Sequence, residues 1–157
     1  MVPVMSKHLL VASLFCTCLS LNASAQERQW SLDASDEDAY LIFGVADSDD
    51  VGISLWCSIR EGSVNIFVPE TDTRMTGGQE VTMTLSASGQ TVDIQGKTEE
   101  NLEASVPSAE GKIAADDPFF ADLIKADRFH VRVGGVENVF PLFDADVEGL
   151  LALCRKS

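Results

Sequence analysis

The chain has 157 residues, with 11 basic against 25 acidic residues, a formal net charge of -14 and 45% hydrophobic residues. One domain fits this length, and the apolar content is too high for a disordered chain. The negative charge excludes non-specific binding to nucleic acid or to an anionic membrane surface, because both require an excess of basic residues. The sequence therefore predicts one small folded domain with an acidic surface.

The N-terminal segment has the pattern of a cleaved export signal. Lys7 and His8 give a positive start, residues 9–21 are almost entirely apolar, and the small residues Ala23 and Ala25 suit signal peptidase. The apolar stretch is shorter than the about 20 residues that a membrane-spanning helix needs. An uncleaved anchor is the alternative interpretation.

We expect cleavage between Ala25 and Gln26, which makes residues 1–25 the signal peptide and residues 26–157 a single β-rich domain. The mature domain would then be periplasmic or secreted, without a membrane span. Cleavage removes one of the 11 basic residues and none of the 25 acidic ones, so the exported domain is even more acidic.

Apolar, β-rich segments predict strands near the start of the mature chain. Residues 26–38 indicate a solvated segment or a short edge strand, from which Trp30 packs onto the domain. Residues 39–45 form an apolar run that ends in the acidic turn at residues 47–50. A hairpin is the natural connection to the next strand.

The most regular alternation of apolar and polar residues follows at residues 51–59. This alternation predicts that Cys57 faces the core and that Trp56 lies on the opposite face of the strand. A turn at residues 61–62 leads to a second strand, which ends before Pro69. Trp56 either packs under the terminal segment or belongs to an exposed interaction patch.

The middle of the chain predicts a second hairpin between two loops. Residues 69–78 form the first loop, and residues 80–85 and 92–94 alternate as two strands. Residues 98–110 indicate a mobile acidic connection. A short strand is expected near residues 112–114.

A helix start at residues 116–118 predicts a short internal helix near residues 117–126. A two-glycine turn at residues 134–135 then predicts a hairpin with an ion pair on one face and an aromatic pair on the other. The predicted register sets these residues opposite each other: Val133 and Val136, Arg132 and Glu137, Phe129 and Phe140.

The last predicted element is a helix near residues 145–155, capped by Asp144 or Asp146, whose apolar stripe includes Cys154. After signal removal, Cys57 and Cys154 remain in an oxidising compartment. We therefore predict a Cys57–Cys154 disulfide that pins this helix to the sheet. Two separate buried thiols or a redox couple are the alternatives. Closing a loop of about 98 residues is worth about 4.7 kcal/mol in the chain-entropy model.

No motif in the sequence predicts catalysis, a cofactor or a metal. His130 is the one histidine of the mature domain, and no nucleophile motif accompanies it. Residues 47–52 begin like a calcium-binding loop, but Val51 and Ser58 stand where the motif requires an oxygen ligand and a glutamate. We expect a solvated turn there, and no catalytic, cofactor-binding or metal-binding residues.

Acidic residues cluster at residues 33–38, 47–50, 99–103 and 144–148. Such clusters can form a docking surface for a basic protein partner. A solvated surface that keeps the domain soluble is the alternative interpretation.

Several segments together resemble small exported proteins of Gram-negative bacteria. These are the early Trp30, the strand segment SLWCSIREGSVNIFVPE, the helix segment DDPFFADLIKADRF, a hairpin, and a terminal helix that ends at Cys154. More distantly, the layout is similar to that of the VasI-like proteins associated with type VI secretion and of the invasion-associated locus B proteins. The resemblance covers most of residues 30–155 and implies a β-sandwich-like exported domain without catalytic activity.

We predict a mainly β domain, an antiparallel β-sandwich or flattened barrel of about seven to nine strands, with one short internal helix and a C-terminal helix. The leading function is a non-enzymatic exported binding or accessory module with a protein partner. A carboxylate-based hydrolase and an acidic inhibitor of a basic protein are the alternatives. A deep pocket with converging carboxylates would favour the hydrolase, whereas a flat sheet face with an exposed Trp56 would favour the binder.

Overall fold

The computed structural model describes residues 27–102 and 105–156, which form nine strands and two short helices. The predicted signal peptide, with its cleavage between Ala25 and Gln26, lies outside the described residues. The strands are β1 (Gln29–Ala34), β2 (Asp38–Gly44), β3 (Val51–Ser58), β4 (Ser63–Val68), β5 (Glu80–Ala87), β6 (Gln90–Glu99), β7 (Ser108–Ala114), β8 (Arg128–Val133) and β9 (Val136–Pro141). The helices are α1 (Phe119–Leu123) and α2 (Val147–Cys154).

All nine strands belong to one antiparallel sheet in the order β1-β2-β3-β4-β7-β6-β5-β8-β9. The sheet curls into a half-barrel, so its two edge strands approach each other. Trp30 on β1 bridges this gap, because its indole N–H donates to the carbonyl of Pro141 and its backbone N–H donates to Asp144 Oδ2 at 3.3 Å. The mainly β prediction is confirmed, and the curled single sheet corresponds to the flattened-barrel form.

The inside of the half-barrel is filled by apolar side chains that alternate along every strand. Aromatic rings form a continuous chain of contacts through this core, with centroid separations from 5.3 to 6.4 Å. The chain runs in the order Trp30, Phe43, Phe140, Phe129, Phe119 and Phe120. It links the edge strand β1 to α1, so one set of rings closes the barrel and seats the internal helix.

The predicted disulfide joins Cys57 on β3 to Cys154 at the end of α2, with their Cα atoms 5.7 Å apart. Both cysteines are fully buried on the inner side of the sheet. Asp146 caps α2, since its carboxylate accepts from the backbone N–H of Gly149 at 2.8 Å. The disulfide therefore pins the terminal helix against the sheet, as the sequence predicts.

The predicted register of the last hairpin is confirmed at each of its three pairs. Arg132 Nη2 lies 3.0 Å from Glu137 Oε1 on the outer face. Phe129 and Phe140 meet on the inner face, with ring centroids 6.4 Å apart. The two-glycine turn and the alternation of apolar and polar residues on both sides of it were enough to predict the register of this hairpin.

Two predicted elements differ from the structure. Helix α1 is only five residues long, because backbone bonds from Lys125 to Asp122 and from Ala126 to Leu123 tighten the chain toward β8. The prediction of a mobile connection over residues 98–110 is wrong at both ends, because residues 98–99 belong to β6 and pair with residues 108–109 of β7. The hydroxyl of Thr98 donates to Thr76 O at 2.6 Å, which satisfies a polar side chain inside the sheet.

The loop after β4 is fastened to the β8–β9 turn by Asp72. This buried carboxylate accepts from Arg74 Nε at 2.9 Å and from the backbone N–H of Gly135 at 3.2 Å. The hydrogen bonds from Arg74, followed by the bond from Gly135, hold the pKa of Asp72 well below its usual range. The charged form of Asp72 therefore stabilises the folded state.

We expect Asp72→Asn to lower the melting temperature at pH 7. Because the pKa of Asp72 is lower in the folded state than in the unfolded state, its charged form stabilises the fold fully above the ordinary aspartate pKa of about 3.9. This stabilisation is lost as the pH falls from there through the pKa of the folded state. The difference in melting temperature between Asp72→Asn and wild type should therefore shrink below about pH 4. Thermal melts between pH 7 and pH 2 measure this, with the exposed Asp36→Asn as the matched control. A difference that stays constant with pH would contradict the assignment.

Candidate functional site

The outer face of β2, β3 and β4 carries large apolar side chains. We define the outer aromatic patch as Tyr40, Ile42, Trp56 and Phe67. Strand alternation places these residues opposite the core positions, and the register sets Tyr40 beside Trp56 and both Ile42 and Phe67 beside Ser54. A solvated sheet face normally carries polar residues, so this patch is the first candidate for a binding surface.

Tyr40 and Trp56 stack on each other within the patch. Their ring centroids lie 5.9 Å apart with an interplanar angle of 18°. Tyr40 is 36% exposed, and Trp56 is half-buried. Helix α2 lies on the inner side, where Cys154 bonds Cys57, so Trp56 does not pack under the terminal helix. The pair therefore forms a rigid aromatic surface on the outside of the barrel.

Glu110 on β7 borders the patch next to Phe67. The indole of Trp56 lies close enough to the Glu110 carboxylate to lower the pKa of that group. Burial raises the pKa of Glu110; the Trp56 hydrogen bond opposes this rise, and the nearby charge of Glu99 adds to it. Glu110 is thus a carboxyl group that the fold holds in a partly desolvated position.

Acidic side chains surround the outer aromatic patch on two sides. Asp33 lies opposite Tyr40 on β1, and Asp38 on β2 accepts from the hydroxyl of Ser58 at 2.9 Å. Lys112 on β7 is neutralised by Glu61, with 2.8 Å between Nζ and Oε1. The surface around the aromatic rings is therefore predominantly negative.

A shallow depression of about 250 Å³ continues from the patch across β7 and β6. Its polar lining includes Asn65, Glu80, Lys97, Glu110 and Lys112. The depression lies on an open sheet face, which suits contact with a surface better than enclosure of a small molecule.

Of the other sequence candidates, His130 lies apart from this face, whereas the turn at residues 47–50 lines a small cavity together with Ile42 of the patch. His130 lies on the outer face of β8, where its Nδ1 is 3.8 Å from Glu137 Oε2. Residues 47–50 form a tight turn, in which the N–H of Val45 donates to Asp50 O at 2.9 Å, and Asp50 pairs with Arg28. Within residues 27–102 and 105–156, no three His, Cys, Asp or Glu side chains are grouped to hold a metal ion.

Sequence reasoning identified Trp56 but missed its partners Tyr40 and Phe67. Both residues belong to segments that were correctly predicted as strands. Extending the register of the two predicted hairpins from Trp56 to the neighbouring strands would have placed Tyr40 and Phe67 on the same sheet face. Side chains alternate between the two faces along each strand, so the register determines the face of every strand residue.

No protein-family model, curated protein or solved structure matches this chain. In the part of the chain that the structure describes, none of the helices is long and apolar enough to cross a bilayer.

Proposed function

We propose that this protein is a non-enzymatic module, exported to the periplasm or secreted, that binds a protein partner through the outer aromatic patch. The observation that carries the proposal is the stacked Tyr40–Trp56 pair on the outer sheet face. Tyrosine and tryptophan dominate the binding energy of protein interfaces, because they bury a large rigid area at a low cost in conformational entropy.

The charge around the patch supports a partner with a basic surface. Asp33, Asp38 and Glu110 border the aromatic rings, and the whole chain carries a formal charge of -14. Complementary charge around an apolar centre accelerates association and selects the partner. Association should therefore slow when salt is added, as screening weakens the attraction. A basic enzyme is one such partner, and in that case the module acts as an inhibitor.

Export is supported by the signal-like sequence of residues 1–25 and by the disulfide. Disulfides persist in oxidising compartments, whereas cytosolic thiols are kept reduced. Intact-mass spectrometry of the exported fraction tests this, with and without reduction and alkylation. We expect a mass that starts at Gln26 and no alkylation before reduction. A mass that retains residues 1–25, or thiols that react at once, would contradict export.

The carboxylate hydrolase is the second candidate function, and the raised pKa of Glu110 favours it. A carboxyl group with a raised pKa is better suited to act as a general acid, if a second carboxylate lies across a cleft. Glu110→Gln separates the two functions. Glutamine still accepts the Trp56 N–H, so a binder keeps its affinity, whereas a hydrolase loses its general acid.

Position-specific photo-crosslinking tests the proposed face. A photo-reactive amino acid replaces Ile42 in the outer aromatic patch, and in a matched control it replaces Val139, which is 44% exposed on β9. We expect a discrete crosslinked protein from position 42 that disappears when Trp56→Ala is added. Crosslinks of equal yield from both positions, or none from position 42, would contradict the proposal.

A further inference from the structure

Asn65 lines the depression beside the outer aromatic patch, where the register sets it between Trp56 on β3 and Lys112 on β7. We infer that the carboxamide of Asn65 binds an asparagine or glutamine side chain of the protein partner. This inference rests on the proposed function and adds to it the chemical group that the patch selects.

Asn65 is a buried polar residue on a sheet face that is open to solvent. Strand alternation directs Val64 and Ile66 into the core and Asn65 to the outer face, yet Asn65 is only 5% exposed. Both neighbours in its row, Trp56 and Lys112, have much longer side chains, so Asn65 is the recessed point between them. A main chain that rests on the aromatic rings is held above Asn65, whereas one of its side chains can reach down to it.

The carboxamide of Asn65 has unused hydrogen-bonding capacity. A carboxamide offers two N–H donors and an oxygen that accepts. Within residues 27–102 and 105–156, this side chain forms one hydrogen bond, from Nδ2 to the carbonyl of Trp56 at 3.4 Å, which is long for an N–H···O bond. Buried polar groups are nearly always bonded, so the second N–H and Oδ1 favour an external group that supplies both an acceptor and a donor.

Ser54 shows the same property in the next row of the outer face. The register sets it between Ile42 and Phe67 in the centre of the patch, and it is 8% exposed. Its hydroxyl forms no hydrogen bond with a residue in the described part of the chain, where every fully buried side-chain N or O atom is bonded. The free oxygens of Ser54 and Asn65 therefore reach the surface, and the patch offers polar groups as well as apolar area to a partner.

The free groups of Asn65 match a second carboxamide. Its donor and its acceptor are carried by atoms bonded to the same carbon, and asparagine and glutamine present the complementary pair in the same way. Arginine and lysine side chains only donate, so the Asn65 N–H would face another donor. A carboxylate only accepts, so it would leave Asn65 Oδ1 without a donor.

Asn65→Asp tests the inference in an affinity measurement with the purified partner that is crosslinked from position 42. The exchange keeps the size of the side chain, removes its N–H donors and adds a negative charge. We expect affinity to fall by about tenfold or more, because the carbonyl oxygen of the partner's carboxamide loses its donor. The added charge alone would strengthen the attraction to a basic partner. Gln95→Glu makes the same chemical exchange on an exposed residue of the same depression, and it should not weaken binding.

Asn65→Ala is the second variant, and it should also weaken binding, since it removes the carboxamide without adding charge. Circular dichroism shows whether each variant is folded, and Asn65→Ala decides the result if Asn65→Asp does not fold. Replacing the contacting asparagine or glutamine of the partner by aspartate or glutamate should weaken binding too, and the combined loss with Asn65→Ala should be smaller than the sum of the separate losses.

Trp56→Ala separates this inference from the proposed function. Loss of binding in Trp56→Ala together with wild-type affinity in the folded Asn65 variants would overturn only the carboxamide contact. Tighter binding of Asn65→Asp would also overturn it, because the partner would then present a lysine or an arginine at this position. Wild-type affinity in Trp56→Ala and in both Asn65 variants would contradict the proposed function itself.

Discussion

Replacing both Cys57 and Cys154 by alanine is expected to lower the free energy of unfolding by about 4.7 kcal/mol. The two cysteines are 97 residues apart in sequence, so the disulfide closes a loop that contains most of the described domain. Without the bond, the unfolded chain gains the conformational freedom of this long loop, and the folded state is disfavoured accordingly. The total free energy of unfolding of a small domain is about 5–15 kcal/mol, so the disulfide would contribute a large fraction of the stability.

Urea unfolding of the oxidised protein and of the double alanine variant measures this difference. Wild-type protein unfolded in the presence of a reducing agent is the matched control, and it should behave like the variant. The backbone amides of α2 should also lose protection from hydrogen exchange first, because Cys154 is the covalent tether of that helix. A loss below about 1 kcal/mol, with α2 still protected, would show that the tether is not needed.

Truncation of Phe129 to alanine is expected to cost about 3–5 kcal/mol. Phe129 is fully buried on β8, and its ring lies 6.2 Å from that of Phe119 and 6.4 Å from that of Phe140. The variant leaves a cavity in the middle of the aromatic chain and removes two ring contacts at once. It therefore weakens both the seating of α1 and the closure of the half-barrel.

Chemical denaturation measures this cost, with Phe143→Ala as the matched control. Phe143 is 86% exposed, so its truncation should change the free energy of unfolding by less than about 0.5 kcal/mol. Phe129→Leu should fall between the two variants, because leucine fills part of the cavity. Equal costs for Phe129→Ala and Phe143→Ala would contradict the assignment of Phe129 to the core.

Local patterns in the sequence were sufficient for the hairpins and for the disulfide. Alternation around Cys57 and the stripe that includes Cys154 predicted that both sulfurs face the core, and the structure joins them. The pairing of Phe129 with Phe140 followed from the turn between them. In each case one short segment contained the signal, because strand alternation and helix periodicity are local properties.

Long-range strand order was beyond these patterns. The sheet places β4 beside β7 and β5 beside β8, and each pairing joins segments with other strands between them in sequence. The end of β6 was missed because Thr98 is polar, although its buried hydroxyl bonds to Thr76.

The proposed binding face is tested most directly by the affinity of the crosslinked partner for the variant Tyr40→Ala/Trp56→Ala. One aromatic hot-spot residue contributes about 2 kcal/mol or more, and the contributions of two neighbouring hot-spot residues are not additive, so we predict that affinity falls by at least about 30-fold. Val139→Ala should bind like wild type, and circular dichroism should show an intact sheet for both variants. An unchanged affinity for the folded double variant would contradict the central claim that the outer aromatic patch is the binding surface.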